Sequence, residues 1–310
     1  MKVSFVIPAY NEAESIGSLI KEIDNNILFE NTENSYEVIV IDDASKDATY
    51  QEILKTKGCN IKLFRLSRRS GSHVALRAGL DIASGDISIC MAADGQDDPS
   101  VICQMVNEWQ KGHEIVWALR MRRENEPIVY KIFTRFFYTL LIFLRAAPGK
   151  IDLSRADFYL LDKKVVNAIR QCKERNTSLF GLIVWLGYNQ GSVEYNRRQR
   201  KSGESKWNFA GRMLLAKDWI IAFSGIPLKL ITWIGFLVAL LGFGYAGLVI
   251  ILSFFVGSPV QGWSSVMTAI LVLGGVLMMM LGIMGEYLWR TLDESRDRPL
   301  YFIDKKEDVD

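Results

Sequence analysis

Residues 91–100 read MAADGQDDPS, with Asp94, Asp97 and Asp98 gathered directly behind the apolar run ISIC. Carboxylates crowded at a strand end, with no His or Cys beside them, suit a hard divalent cation such as Mg²⁺ held together with a substrate phosphate. The plain alternative is a polar turn after a strand. A second constellation is basic: YNRRQRKSGESKW at 195–207 carries Arg197, Arg198, Arg200, Lys201 and Lys206. Its glycine allows a bent loop in which Arg200 and Lys206 converge on one anion. The alternatives are a solvated basic flank or attraction to anionic lipid.

The elements around the acidic cluster alternate in type. Short Val/Ile-rich runs at 3–8, 37–42, 61–66 and 87–91 are separated by helical patterns at 12–26, 47–56, 73–84 and 100–111. Such alternation predicts an α/β fold, a mainly parallel sheet covered by helices on both faces. In these sheets ligands bind beyond the carboxyl ends of the strands. The segments that follow the strands are PAYNE, DDASKD, SRRSG and AADGQDD, so polar and acidic residues collect at that one edge. No G-x-G-x-x-G stands there, which argues against a dinucleotide cofactor. A net charge of +2 gives no polyelectrolyte character, so nucleic acid is not an expected partner.

Farther along, no Asp, Glu, Lys or Arg occurs between Lys229 and Glu286. Two apolar runs in that gap, 230–256 and 266–285, each reach the roughly 20 residues that a membrane span needs. Their connection, GSPVQGW, has no Lys or Arg, while Lys217, Lys229, Arg290, Arg296 and Arg298 flank the pair. The positive-inside rule then places both flanks and the N-terminal part in the cytoplasm. The start, MKVSFVIPAYNE, lacks the pattern of a signal peptide. The segments 130–146 and 207–227 are apolar but interrupted by charge, and suit helices in the membrane interface. For 130–146 the alternative is a core helix. Four scattered cysteines, including Cys59 and Cys90, read as reduced thiols, and two histidines are too few for a His-based metal centre. The tail DKKEDVD is expected to be disordered. The divisions expected are thus 1–125, 126–227, a membrane hairpin at 228–288 and a cytosolic tail at 289–310.

Four stretches, SFVIPAYNEAESI, VIVIDDASKDAT, LSRRSGSHVALRAGLDIASGD and MAADGQDDP, resemble in order the nucleotide-sugar motifs of family-2 glycosyltransferases with the GT-A fold. ADFYLLDKK, RRQRKSGESKW, FSGIPLK and GEYLWRTLDESRDRPLY resemble the polyprenyl-phosphate branch of that family, which includes bactoprenol glucosyltransferases and, more distantly, dolichol-phosphate mannose synthases. The resemblance covers nearly the whole chain. It implies that Pro8, Tyr10 and Glu12 line the nucleotide pocket, with Asp42 and Asp43 near base and ribose. Arg68, Gly71, Gln96 and Asp97 would join them, although Arg69 and Ser70 replace the usual asparagine and aromatic. Ala92 stands at the first acid of the D-x-D metal loop, which leaves Asp94 as the leading ligand for Mg²⁺ or Mn²⁺. Gly95 and Asp98 also depart from the usual loop. Asp157 matches an acid near the reaction centre, with a helix cap as the bland alternative.

The resemblance further implies inverting transfer of a hexose, best read as glucose from UDP-glucose, to undecaprenyl phosphate. Arg200, Ser205 and Lys206 would hold the acceptor phosphate at the inner membrane, in a multi-pass protein serving the cell envelope or lipopolysaccharide. A phosphate monoester is already largely ionised near neutral pH, its second pKa being about 6, so the acceptor needs positioning more than a general base. The resemblance implies a homo-oligomer, a tetramer, with a separate flippase and a downstream transferase as functional partners. Other donors (UDP-N-acetylhexosamine, GDP-mannose, a modified pentose) remain open within the same reaction. A non-catalytic membrane scaffold is the reading from a different class, motivated by Ala92.

Overall fold

The computed structural model describes residues 1–27, 35–56, 60–121, 155–175, 177–196, 198, 231, 233–238, 240–241, 244–245 and 262–309. These fall into two units, one of residues 1–218 with 299–310 and one of residues 219–298.

The first unit is built on an eight-stranded sheet in the order β7-β5-β6-β4-β1-β2-β3-β8. Its centre is parallel: β1 (Lys2–Ala9) lies between β2 (Ser35–Asp42) and β4 (Ile87–Cys90), and β3 (Ile61–Leu66) extends it beyond β2. These strands are nearly continuous apolar runs because both faces are covered. Alternate residues serve the two faces. Phe5, Ile7, Val38 and Val40 form a core with Ile16, Leu19, Ile20 and Ile23 of α1 (Ile16–Ile27). On the other face, α3 (Ser72–Ile82) approaches so closely that a Cβ on Gly79 would stand 2.3 Å from Val6 Cγ1. The helices α2 (Thr49–Lys55) and α4 (Ile102–Gln110) follow β2 and β4. The expected alternation over the first 111 residues is what the structure shows, with strand ends displaced by at most two residues.

β5 (Ile115–Arg120), β6 (Ala156–Asp162) and β7 (Gln190–Tyr195) complete one side, with β6 antiparallel to both β4 and β5, and β7 parallel to β5. This topology brings the start of β6 and the exits of β5 and β7 to the same edge as the carboxyl ends of β1 to β4. Two helices, α5 (Lys163–Gln171) and α6 (Leu179–Trp185), connect β6 to β7. Asp162 caps α5 by accepting a hydrogen bond from Lys164 N, so the cap expected of Asp157 in its bland reading belongs to Asp162.

The C-terminal tail departs from expectation. Rather than being disordered, residues Ile303–Val309 form β8, antiparallel to β3 at the sheet edge. Backbone pairing, Tyr301 Oη donating to Asp81, and Lys305 and Lys306 over the rings of Tyr50 and Phe64 hold it there. Its charge is a property of a protected edge strand.

In the second unit the long helix α7 (Trp263–Ser295) spans 33 residues. Leu277, Met278, Met279 and Leu281 on it are each more than half exposed, an apolar surface with no covering layer among the described residues. Among the described residues no helix is long and apolar enough to cross a membrane. Most of the first expected span, and the segments 130–146 and 207–227, lie outside the described residues.

Candidate active site

Of the four loops at the carboxyl edge of the parallel strands, those after β1, β2 and β3 are tied to one another. After β1 the chain turns at Asn11, with a positive φ of 52°, and Ala44 after β2 has a φ of 56°. Non-glycine residues in this region carry strain of roughly 1–3 kcal/mol, which surrounding bonds must hold. Here they do. Asn11 N donates to Ser45 Oγ at 3.0 Å, Lys46 N donates to Asn11 Oδ1 at 2.8 Å, and Glu12 N donates to Thr49 Oγ1 at 2.8 Å. Glu12 also closes the turn that leads into α1, its carbonyl accepting from Ile16 N and its carboxylate from the Ser15 hydroxyl at 3.1 Å. Pro8 lies within β1, paired with Ile41.

Asp42 and Asp43 divide their tasks. Asp42 is fully buried; its Oδ1 accepts from Ser45 N at 2.9 Å, and its Oδ2 lies 3.6 Å from Arg65 Nη1 without a hydrogen bond. Arg65 also donates to Ser45 O at 2.9 Å, bracing the β2 loop from β3. Asp43 receives the β3 loop, its two oxygens accepting from Ser70 N at 2.6 Å and Gly71 N at 2.8 Å. Burial pushes the Asp43 carboxyl above its usual range, against these two N–H groups and the Arg69 cation, which favour the carboxylate. Gly71 has a φ of 93° at the N-cap of α3, a conformation that a side chain would strain. The next step of that loop is Arg69, whose guanidinium carbon lies 4.2 Å from the centroid of the Tyr10 ring. Arg68 is exposed, with its carbonyl accepting from Ser70 Oγ at 3.2 Å.

The loop after β4 folds around its own acids. Asp97, almost fully buried, accepts from Ala92 N at 2.8 Å and from the Tyr195 hydroxyl at 3.3 Å. Asp94, 8% exposed, accepts from Gln96 N at 3.2 Å, and Gly95 takes a φ of 69°. Asp98 caps the short 3₁₀ turn Pro99–Val101. Arg198, just beyond β7, closes the arrangement. Its N–H donates to Gln96 O at 3.1 Å, and its guanidinium pairs with Asp98 at 2.8 Å and with Glu22. A member of the basic stretch therefore anchors the acidic loop. Sequence reasoning missed this, and also missed Arg69 and Ser45. The signal for Arg69 was its departure from the family pattern.

Asp157 stands at the start of β6, at this same edge, where Phe158 pairs with Ala118 and Tyr159 with Cys90. Arg200, Ser205 and Lys206 lie outside the described residues. Among the described residues no group of three or more His, Cys, Asp or Glu side chains could hold a metal ion. A cavity of about 360 Å³ lined by Trp109, His113, Glu114 and Asp162 opens at the opposite, amino end of the sheet, away from these loops. Cys90 is buried and its thiol is pushed up to about 12, as an inert core residue requires.

Comparison with known proteins accords with this geometry. Residues 4–167 match Glycosyl transferase family 2, and residues 226–290 match the GtrB C-terminal hairpin. The chain is 38% identical over 305 residues, 98% of its length and 95% of the relative's, to the uncharacterized glycosyltransferase sll0501 of Synechocystis sp.. It is 36% identical over 306 residues, 98% of each chain, to the bactoprenol glucosyl transferase of Shigella phage SfV. Among solved structures, glucosyl-3-phosphoglycerate synthase from Mycobacterium tuberculosis, in complex with Mg²⁺ and uridine diphosphate, is similar in fold, with a TM-score of 0.52 and 18% identity over 72% of this chain and 79% of that one.

Proposed function

The chain belongs to glycosyl transferase family 2, and we propose that it moves a hexose from a nucleotide sugar to a polyprenyl phosphate at the cytoplasmic face of the plasma membrane. The chain is a glycosyltransferase with a GT-A, Rossmann-like domain. Glucose from UDP-glucose and undecaprenyl phosphate are the preferred donor and acceptor, on the likeness to bactoprenol glucosyl transferases over 98% of both chains. The observation that carries the reading is convergence. Loops after β1 to β4, the start of β6 with Asp157, and the exit of β7 at Tyr195 all reach one sheet edge.

In this reading the donor nucleotide lies over Tyr10, Glu12, Asp42, Asp43, Arg68 and Gly71, with Pro8 beneath and Gln96 beside it. Asp97 shapes the D-x-D loop, since its oxygens already accept from Ala92 N and Tyr195. Mg²⁺ commonly uses one or two protein carboxylates with substrate phosphates and water, and a loop offering Asp94 without an acid at Ala92 fits that habit. Such an ion, or Mn²⁺, would shield the charge of the donor diphosphate from the incoming acceptor. Arg200, Ser205 and Lys206 would orient the acceptor oxygen for in-line attack at the anomeric carbon, with inversion. Asp157 would orient substrate beside them. Residues 228–288 are read as a membrane hairpin, supported by the absence of Asp, Glu, Lys and Arg from 230–285 and by the hairpin match. Both flanks would then be cytoplasmic.

The test supplies membranes containing the protein with labelled UDP-glucose, UDP-N-acetylglucosamine and GDP-mannose, then extracts the lipid. Label is expected in polyprenyl phosphate from UDP-glucose, lost in Asp94→Asn and in excess chelator. Label from another donor alone would reassign the sugar, and no labelled lipid from any donor would sink the reading.

A further inference from the structure

We propose that Arg69 is a donor-recognition residue: clamped on the Tyr10 ring, its guanidinium is the plate on which the planar base of the donor nucleotide stacks. The inference rests on the nucleotide-sugar reading of this edge and adds to it a contact that Arg69 makes possible in this chain.

Three loops fix the geometry. Tyr10 is held by its neighbour Asn11, which is bonded to the β2 loop in both directions. Arg69 is held by its neighbours Ser70 and Gly71, whose N–H groups both bind the Asp43 carboxylate. Ring and guanidinium thus meet at 4.2 Å between two anchored backbones rather than by the chance approach of two mobile side chains. That separation is well inside the range over which a cation is attracted to an aromatic face. A guanidinium is planar and weakly hydrated, so the side turned from the ring accepts a second planar group. Arg69 is exposed, and ligand access needs no displacement of the core.

Electrostatics points the same way. The edge carries Glu12, Asp42, Asp43 and Asp94, all unfavourable neighbours for a phosphorylated ligand. A fixed cation among them lowers the repulsion that a nucleoside diphosphate meets on entry. Charge alone would be served equally by lysine. Stacking requires the plane, and this separates the two contributions.

The experiment titrates UDP with Mg²⁺ into the purified full-length protein and into Arg69→Ala, Arg69→Lys and Arg69→Asn. Removing a stacked cation is expected to raise the UDP dissociation constant about fivefold in Arg69→Ala and Arg69→Asn. Arg69→Lys should recover less than half of that loss, and Tyr10→Leu combined with Arg69→Ala should be less than additive. In lipid transfer assays the donor KM should rise by a similar factor while kcat and the lipid KM stay within about twofold. Unchanged UDP affinity in Arg69→Ala, or full recovery in Arg69→Lys, overturns the stacking role while leaving the transferase reading intact. Failure of the unsubstituted protein to bind any nucleoside diphosphate overturns that reading and this inference together.

Discussion

Glu37 offers a quantitative test of what holds the sheet. It lies on β2, fully buried, at the end opposite the candidate active site. Its Oε1 accepts from Ser4 Oγ at 2.6 Å and from Ser84 N and Oγ at 2.8 Å each, and its Oε2 pairs with Lys62 at 2.8 Å and Lys2 at 3.4 Å. One carboxylate therefore ties β1, β2, β3 and the turn before β4. Burial alone would raise its pKa, but the Lys62 ammonium and the Ser4 and Ser84 donors outweigh it and bring the carboxyl from 4.5 to about 2. A folded pKa below the unfolded one stabilises the native state above pH 4.5, and that stability drains away as pH falls toward 2. At about 1.4 kcal/mol per pH unit, the difference contributes on the order of 3 kcal/mol at neutral pH. Glu37→Gln should thus lower the melting temperature at pH 7 by about 6–12 °C. The gap from the unsubstituted protein should narrow steadily between pH 4.5 and 2.5. Thermal unfolding of both proteins across that range measures it. Parallel pH profiles with a constant gap would refute the argument, because they would mean that Glu37 does not titrate with folding.

Other perturbations address the edge loops. Asp43→Asn leaves one of the Ser70 and Gly71 N–H groups facing an amide donor, and should weaken UDP binding about tenfold by titration while lowering the melting temperature by several degrees. Arg198→Ala frees the Gln96–Asp98 segment from its guanidinium tie and should raise the Mg²⁺ concentration for half-maximal turnover. Its cost to stability should stay at about 1 kcal/mol or less, since the pair is partly solvated. Deleting residues 302–310 strips β8 from β3 and should abolish hydrogen-exchange protection of the β3 amides that face it, with soluble aggregates appearing by light scattering.

The parallel core was legible in the sequence because its signals are local. Runs such as SFVI and VIVI must be buried on both sides, and the turns after them collect residues that cannot be. The convergence of those turns at one edge then follows from parallel pairing alone. β8 was not legible, since IDKKEDV reads as a solvated tail until β3 is known to have an open edge. The role of Arg198 was hidden for a related reason. Its neighbours in the sequence are basic, while its partners, Glu22 and Asp98, are 176 and 100 positions away.

These two cases share a physical cause. A charge reports only that a side chain needs water or an opposite charge, and the chain's topology decides which it meets. At Arg198 the answer is carboxylate, so this member of the basic stretch stands apart from Arg200 and Lys206, the pair expected to converge on an anion. Arg198 braces the loop after β4, and Arg200 and Lys206 are left for the proposed acceptor phosphate. The division gives a reason for the length of the basic stretch. A loop presenting cations to a phosphate beside an acidic loop would be drawn onto those acids by attraction. Pairing Asp98 and Glu22 with a dedicated arginine offsets one of their two charges and weakens that competition, leaving Asp94 for the proposed metal.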